Sequence, residues 1–282
     1  MVALPATAAA VLLAAALPLA AQDAPGRAAV EQERAEYVGW LRNAEVSPFR
    51  ALALRPFDAP FTLGPAGSDV PLAGVEAHRL VPQGAVAALE GPAERRLIPR
   101  HRAVALGRHA LLLSGPAERP VVTVFGPERR GTEPSFYPYD PSLAFTGPLT
   151  PAARPSSVRI LAPDGVEVEA TEAGTVAVPI GGETHRLRVL RLPVPGSEES
   201  ELEIYFRDAT NDRGTYPAGR FVALVPTADG RYRLDFNRAR NPFCAYNTVY
   251  PCPVLWAGNA LPVSIEAGER YSGGEIQPAA AP

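Results

Sequence analysis

The 282 residues carry a formal net charge of −3, with 27 basic side chains, every one an Arg, against 30 acidic ones. No surplus of positive charge exists to neutralise phosphates, which excludes nucleic acid as a main partner. With 32 prolines, 24 glycines and 46% hydrophobic residues, the composition suits short strands joined by turns around two cores, not a helical bundle or a disordered chain.

The N-terminus reads as a secretory signal over residues 1–21. Ala8 to Ala21 is apolar and uncharged and ends in Leu19-Ala20-Ala21 before Gln22 and Asp23. It is shorter than the about 20 residues a bilayer-spanning helix needs. Only the terminal amine supplies positive charge; on a cytoplasmic protein the same run would be a short Ala-rich helix. Removal of the signal leaves a periplasmic or secreted protein. No second long apolar run follows, so insertion into a membrane is not expected.

Residues 22–45 are assigned to an N-terminal helix. Within it, Val30, Tyr37 and Leu41 recur at helical spacing, and Glu31, Glu33 and Glu36 take the other face. This is a packing helix, expected to cover a sheet edge. From Val46 the pattern changes to short alternating runs: Arg50–Leu54, Phe61–Leu63, Gly74–Val81, Arg102–Leu106, Ala110–Leu113 and Val121–Phe125. Gly and Pro separate them at a spacing that predicts a β-sandwich over 46–128.

Gly64, Asp69-Val70-x-Leu72 and His78, followed by Val104–Leu113 around Gly107, resemble the forkhead-associated fold. The resemblance implies a phosphopeptide-binding scaffold, but Pro65 stands where that family's phosphate-contacting Arg belongs, and Glu76 lies near its ligand-contacting Ser. A site with no cation and an added carboxylate repels phosphate, so phosphothreonine binding is not expected.

Phe125–Leu149 is Pro-rich, with Phe136, Tyr137, Tyr139 and Phe145 interleaved. So many aromatic residues are too apolar for a free linker, and the stretch should pack across the domain junction. Ser157–Leu161, Val166–Ala170, Thr175–Ile180, Thr184–Leu192, Glu201–Phe206, Arg220–Val225 and Arg231–Phe236 alternate apolar and polar residues. They predict a second, antiparallel β domain over 129–270, with Val189 and Ile204 facing inward. The tail, 271–282, is polar and Pro/Ala-rich and reads as disordered. The fold class is therefore mainly β: helix, sandwich, then antiparallel domain.

Three motifs crowd the C-terminal domain: RDATNDRGTYPAGRF (Arg207–Phe221), LDFNRARNPFCAYN (Leu234–Asn247) and LPVSIEAGER (Leu261–Arg270). In this order they resemble a bacterial family known only as domain-of-unknown-function family 1684. The resemblance implies a β-rich, often exported protein and hands over no activity. Where that family carries Glu-Asn-Arg before Leu-Pro-Val, this chain keeps Asn259 but has Gly258 and Ala260 beside it.

If the loop after Arg207-Asp208 returns as a hairpin, Arg207, Asp208, Tyr216 and Arg220 approach one another, with Asp235, Asn237 and Arg238 ending the next strand. Two arrangements fit these residues. One is a pocket in which Arg207, Arg220 and Arg238 face a small anionic or polar ligand, since the planar Arg fork matches carboxylate or phosphate. The other is a structural network of Asp–Arg pairs and Asn side chains satisfying loop backbone. A hydrolase using Asp208 or Asp235 with Tyr216 is a further option, as is a structural envelope protein. Cys244 and Cys252 are expected to form a disulfide if the chain is exported. A metal site is not expected, because the four histidines lie away from this loop. No cofactor motif or short catalytic signature occurs.

Overall fold

The computed structural model describes residues 24–271 and 273. The expected signal segment, 1–21, lies outside them, as does the expected tail apart from Tyr271 and Gly273. The described chain is mainly β, with one α-helix, α1 (Ala24–Asn43). Val30, Tyr37 and Leu41 are the buried face of α1, as their spacing predicts. The helix packs mainly on single turns, not on the sheet edge expected of it. It lies on the single turns at Pro48–Arg50 and Phe236–Arg238, and Arg34 donates to the carbonyls of Tyr137 (3.0 Å) and Asn237 (2.9 Å).

The sandwich contains β1 (Ala51–Pro56), β2 (Phe61–Gly64), β3 (Val70–Pro71), β4 (His78–Gln83), β5 (Val86–Glu90), β6 (Arg95–Ile98), β7 (Val104–Leu106), β8 (His109–Ser114) and β9 (Val121–Phe125). One sheet runs β1-β9-β8-β7 and the other β3-β2-β4-β5-β6. Leu63, Leu80 and Leu89 from the second meet Leu111, Val122 and Val124 from the first in one core. Strands β5 and β6 were not anticipated. Their Ala-rich and Arg-rich runs have little β propensity, and pairing with β4 is what makes them strands.

The C-terminal domain contains β10 (Ala144–Gly147), β11 (Leu149–Pro151), β12 (Ser157–Leu161), β13 (Glu167–Ile180), β14 (Glu183–Pro193), β15 (Ser200–Phe206), β16 (Arg220–Pro226) and β17 (Tyr232–Asp235). The sheet order is β10-β17-β16-β15-β14-β13-β11, with β12 on the side of β13. Because β10 and β11 are one run of chain broken at Pro148, the segment pairs with β17 through its first half and with β13 through its second. It brings the two ends of the sheet together, so the sheet is nearly closed into a barrel. Val189, Ile204, Phe206, Val222, Leu224 and Phe236 fill the interior.

Two predicted strands, Val166–Ala170 and Thr175–Ile180, are one strand, β13. The polar stretch between them is a bulge at Glu172–Gly174, where Gly174 takes φ 143°. The chain bends there without leaving the sheet, because a glycine relieves the strain a side chain would add.

Candidate functional site

The motif residues are drawn into two separate networks. Asp208 follows β15 and is buried. Its Oδ1 accepts from the Thr210 amide (2.8 Å), the Thr210 hydroxyl (2.5 Å) and the Ile265 amide (3.2 Å). Its Oδ2 accepts from Arg220 Nη2 at 2.8 Å, and both side chains are 0% exposed. Arg220 Nη1 and Nη2 also donate to the carbonyls of Ala267 (2.5 Å), Ile265 (2.9 Å) and Glu269 (3.3 Å), while its Nε has no partner. This supports the network arrangement. The run from Leu261 to Glu269 belongs to no strand, so its buried carbonyls lack ladder partners, and one guanidinium supplies them.

In the second network Asp235 Oδ1 accepts from the amide (3.1 Å) and Nδ2 (2.9 Å) of Asn237. Asp235 Oδ2 faces Arg233 at 3.1 Å and Arg238 at 3.4 Å. Arg238 also pairs with Glu33 of α1. The three arginines expected to converge are therefore apart: Arg207 is exposed, Arg220 lies in the core, and Arg238 ties the barrel to the helix. Tyr216 packs on Tyr271 and places its hydroxyl 3.3 Å from Cys244 O and from Cys252 Sγ. Cys244 and Cys252 form a disulfide. Asp208 and Asp235 each have both oxygens engaged by protein donors.

Asn259 substitutes for a strand residue. Its Oδ1 accepts from the Arg188 amide (2.8 Å), and its Nδ2 donates to the carbonyls of Arg188 (3.0 Å) and Tyr205 (2.8 Å). That role needs no charged neighbour, so Gly258 and Ala260 are tolerated beside it.

A cavity of about 760 Å³ lies where helix, sandwich and barrel meet. Its floor is the outer face of the barrel: Leu192 from β14, Glu201 and Glu203 from β15, Phe221 from β16, then Arg240. The turn between β12 and β13 contributes Asp164, α1 contributes Tyr37 and Trp40, and the sandwich contributes His101 and Ser114. On β15 Leu202, Ile204 and Phe206 enter the barrel core while Glu201 and Glu203 face the cavity, as period-two alternation requires.

Two polar atoms of residues lining this cavity, Glu203 Oε2 and Ser114 Oγ, are buried without a well-aligned hydrogen bond, with the Tyr205 hydroxyl beside the Glu203 carboxyl. Their residues are 6% and 7% exposed. Burial, then the charges of Glu201 and Asp164, pushes the Glu203 carboxyl up to about 8. Burial pushes Asp164 up to about 6, and burial with the nearby Arg100 charge holds His101 below its ordinary value. The Arg240 guanidinium lies over the Tyr37 ring, 4.0 Å from its centroid. Trp40 and Phe243 stack beside it with centroids 6.0 Å apart.

Sequence reasoning missed this site because its residues come from distant stretches of chain. The one local signal was Glu203, a carboxylate between Leu202 and Ile204 in a strand otherwise apolar from Leu202 to Phe206. Among the described residues, no group of three or more His, Cys, Asp or Glu is placed to hold a metal ion.

The model of a family described as "Protein of unknown function (DUF1684)" matches residues 132–270. Those residues span the barrel and all three motifs. No curated protein matches the chain. The solution NMR structure of an uncharacterized protein of Haloarcula marismortui is 31% identical over 49% of this chain and 76% of that one, with a TM-score of 0.43.

Proposed function

The chain belongs, over residues 132–270, to the DUF1684 family of proteins of unknown function, and we propose that it is an exported protein that binds a small polar ligand in the cavity between helix, sandwich and barrel. The observation that carries this reading is the pair of unpartnered buried atoms, Ser114 Oγ and Glu203 Oε2, on residues that line the cavity. Leaving a buried donor or acceptor unmade costs about 1–3 kcal/mol, and a ligand that meets both recovers it. The volume falls in the range of small-molecule pockets. In this reading the motif block is the frame: Arg220 and Asp208 anchor the irregular C-terminal run, and Arg240 pairs with Phe221 through backbone bonds of 2.9 and 3.0 Å. That pairing holds two residues of the cavity floor in place.

Export rests on the apolar N-terminal run and agrees with a disulfide-bonded cysteine pair. Native mass spectrometry of protein purified gently from its own host tests both parts. The expected result is a polypeptide beginning at Gln22, with extra mass that disappears on denaturation. A full-length chain confined to the cytoplasm sinks export. A bare native mass, together with no ligand-dependent rise in melting temperature across a metabolite panel, sinks the binding reading in favour of a structural envelope role.

A further inference from the structure

The charge of the cavity lining is one-sided. Asp164, Glu169, Glu201 and Glu203 line it, against the single cation Arg240. His101 adds no positive charge near neutral pH, because its pKa is lowered from 6.5. Arg240 is occupied by the face of Tyr37 and is also drawn toward the buried carboxylate of Glu269. An anionic ligand would therefore meet the carboxylates of Asp164, Glu169 and Glu201 beside the buried acid of Glu203, with one partly engaged guanidinium to offset them. A wholly apolar ligand would leave Glu203 Oε2 and Ser114 Oγ unpaired. A metal ion lacks its ligand set among the described residues. Trp40, Phe221 and Phe243 also line the cavity and offer apolar ring surface to the body of a ligand.

We infer that the cavity takes an organic cation, a protonated amine or quaternary ammonium on a small apolar body, with the charge between Glu203 and Asp164 and the body against Trp40, Phe221 and Phe243. The inference rests on the reading of this cavity as a ligand site. Glu203 reaches it from β15, Asp164 from the turn before β13, and Trp40 from α1, so the seat exists only when the helix is docked against the barrel. The groups facing Glu203 are Glu201, Asp164, Tyr205 and Arg240. Set among them, it is largely protonated at pH 7, and a bound cation draws it to ionise.

Titration calorimetry on the mature chain with 2-phenylethylamine, choline and 3-phenylpropionate tests this. The expected result is that at least one of the two cations binds and the carboxylate does not. Comparison of two buffers of different ionisation enthalpy should show release of up to about one proton. Glu203→Gln should weaken the cation about tenfold or more and abolish the release. Trp40→Ala should weaken it without changing the melting temperature. Binding of 3-phenylpropionate alone, lost in Arg240→Gln, overturns the cation inference and leaves the cavity a ligand site. Cation binding indifferent to both Glu203→Gln and Trp40→Ala overturns the inference by placing the amine elsewhere. Binding of none of the three overturns it together with the reading it rests on.

Discussion

Arg220 is among the largest fully buried side chains among the described residues, and its charge is met by Asp208 and three carbonyls. Removing one partner of such a pair strands the other charge without solvent, which costs about 3–5 kcal/mol. Arg220→Met should therefore lower stability by that amount in urea unfolding. Arg220→Met with Asp208→Asn should recover part of the loss, because the stranded carboxylate is gone. An additive double variant would mean the two side chains do not depend on each other. Arg, Asp and Asn crowding near turns was legible in the sequence as a constellation. Its sense was not: the same residue types serve a ligand pocket or a backbone network, and only the position of the unpaired carbonyls of Ile265 and Ala267 decides between them.

At the level of elements, closure of the barrel depends on β10 and β11, which sit in a Pro-rich stretch that reads as a junction linker. Pro148 interrupts the run and hides it, yet Pro148 is also where the segment passes from β17 to β13. Gly174 is the tight point of that seam: a Cβ there would stand 2.1 Å from Thr150 O, in a conformation of φ 143°. Gly174→Val should cost at least about 2 kcal/mol and speed amide exchange in β11 and β13. Gly147→Ala meets nothing within 4 Å and should be close to neutral in the same assay. The loop closed by Cys244 and Cys252 is a second such element. Alkylation without reductant should modify no thiol, and reduction should lower stability by about 2–3 kcal/mol through the freed unfolded chain. Two alkylated cysteines in the unreduced protein would contradict the pairing.

Across the whole molecule, three buried carboxyls link stability to pH. Glu203 is pushed up to about 8, Glu269 to about 7 and Asp164 to about 6, each mainly by burial. Because the folded values exceed the unfolded ones, the native state holds protons that the unfolded chain has already shed. Their contribution is fully present below the unfolded values, 3.8 for Asp164 and 4.5 for the two Glu residues, and is lost as pH rises through about 8. The melting temperature should therefore be several degrees lower at pH 8.5 than at pH 5.5, at about 2–4 °C for each kcal/mol. Glu203→Gln should flatten the upper part of that slope and raise stability at pH 8.5. A melting temperature that climbs between these pH values would contradict the burial of these groups.

Local chemistry was enough to specify some of the elements: the apolar stripe Val30, Tyr37 and Leu41 for the helix, period-two alternation for β14 to β17, and Gly-containing turns between strands. These signals are local because a helix face or a pleated strand must match its own periodicity to bury its apolar side. Barrel closure, the docking of α1 on the turns at Pro48–Arg50 and Phe236–Arg238, and the junction cavity were decided by the tertiary structure. Each depends on groups far apart in the chain meeting out of water: Ala144 with Asp235, Tyr37 with Tyr246, Ser114 and Glu203 lining one cavity. No spacing along the sequence encodes which unpaired atom ends up facing which, because burial is a property of the packed molecule.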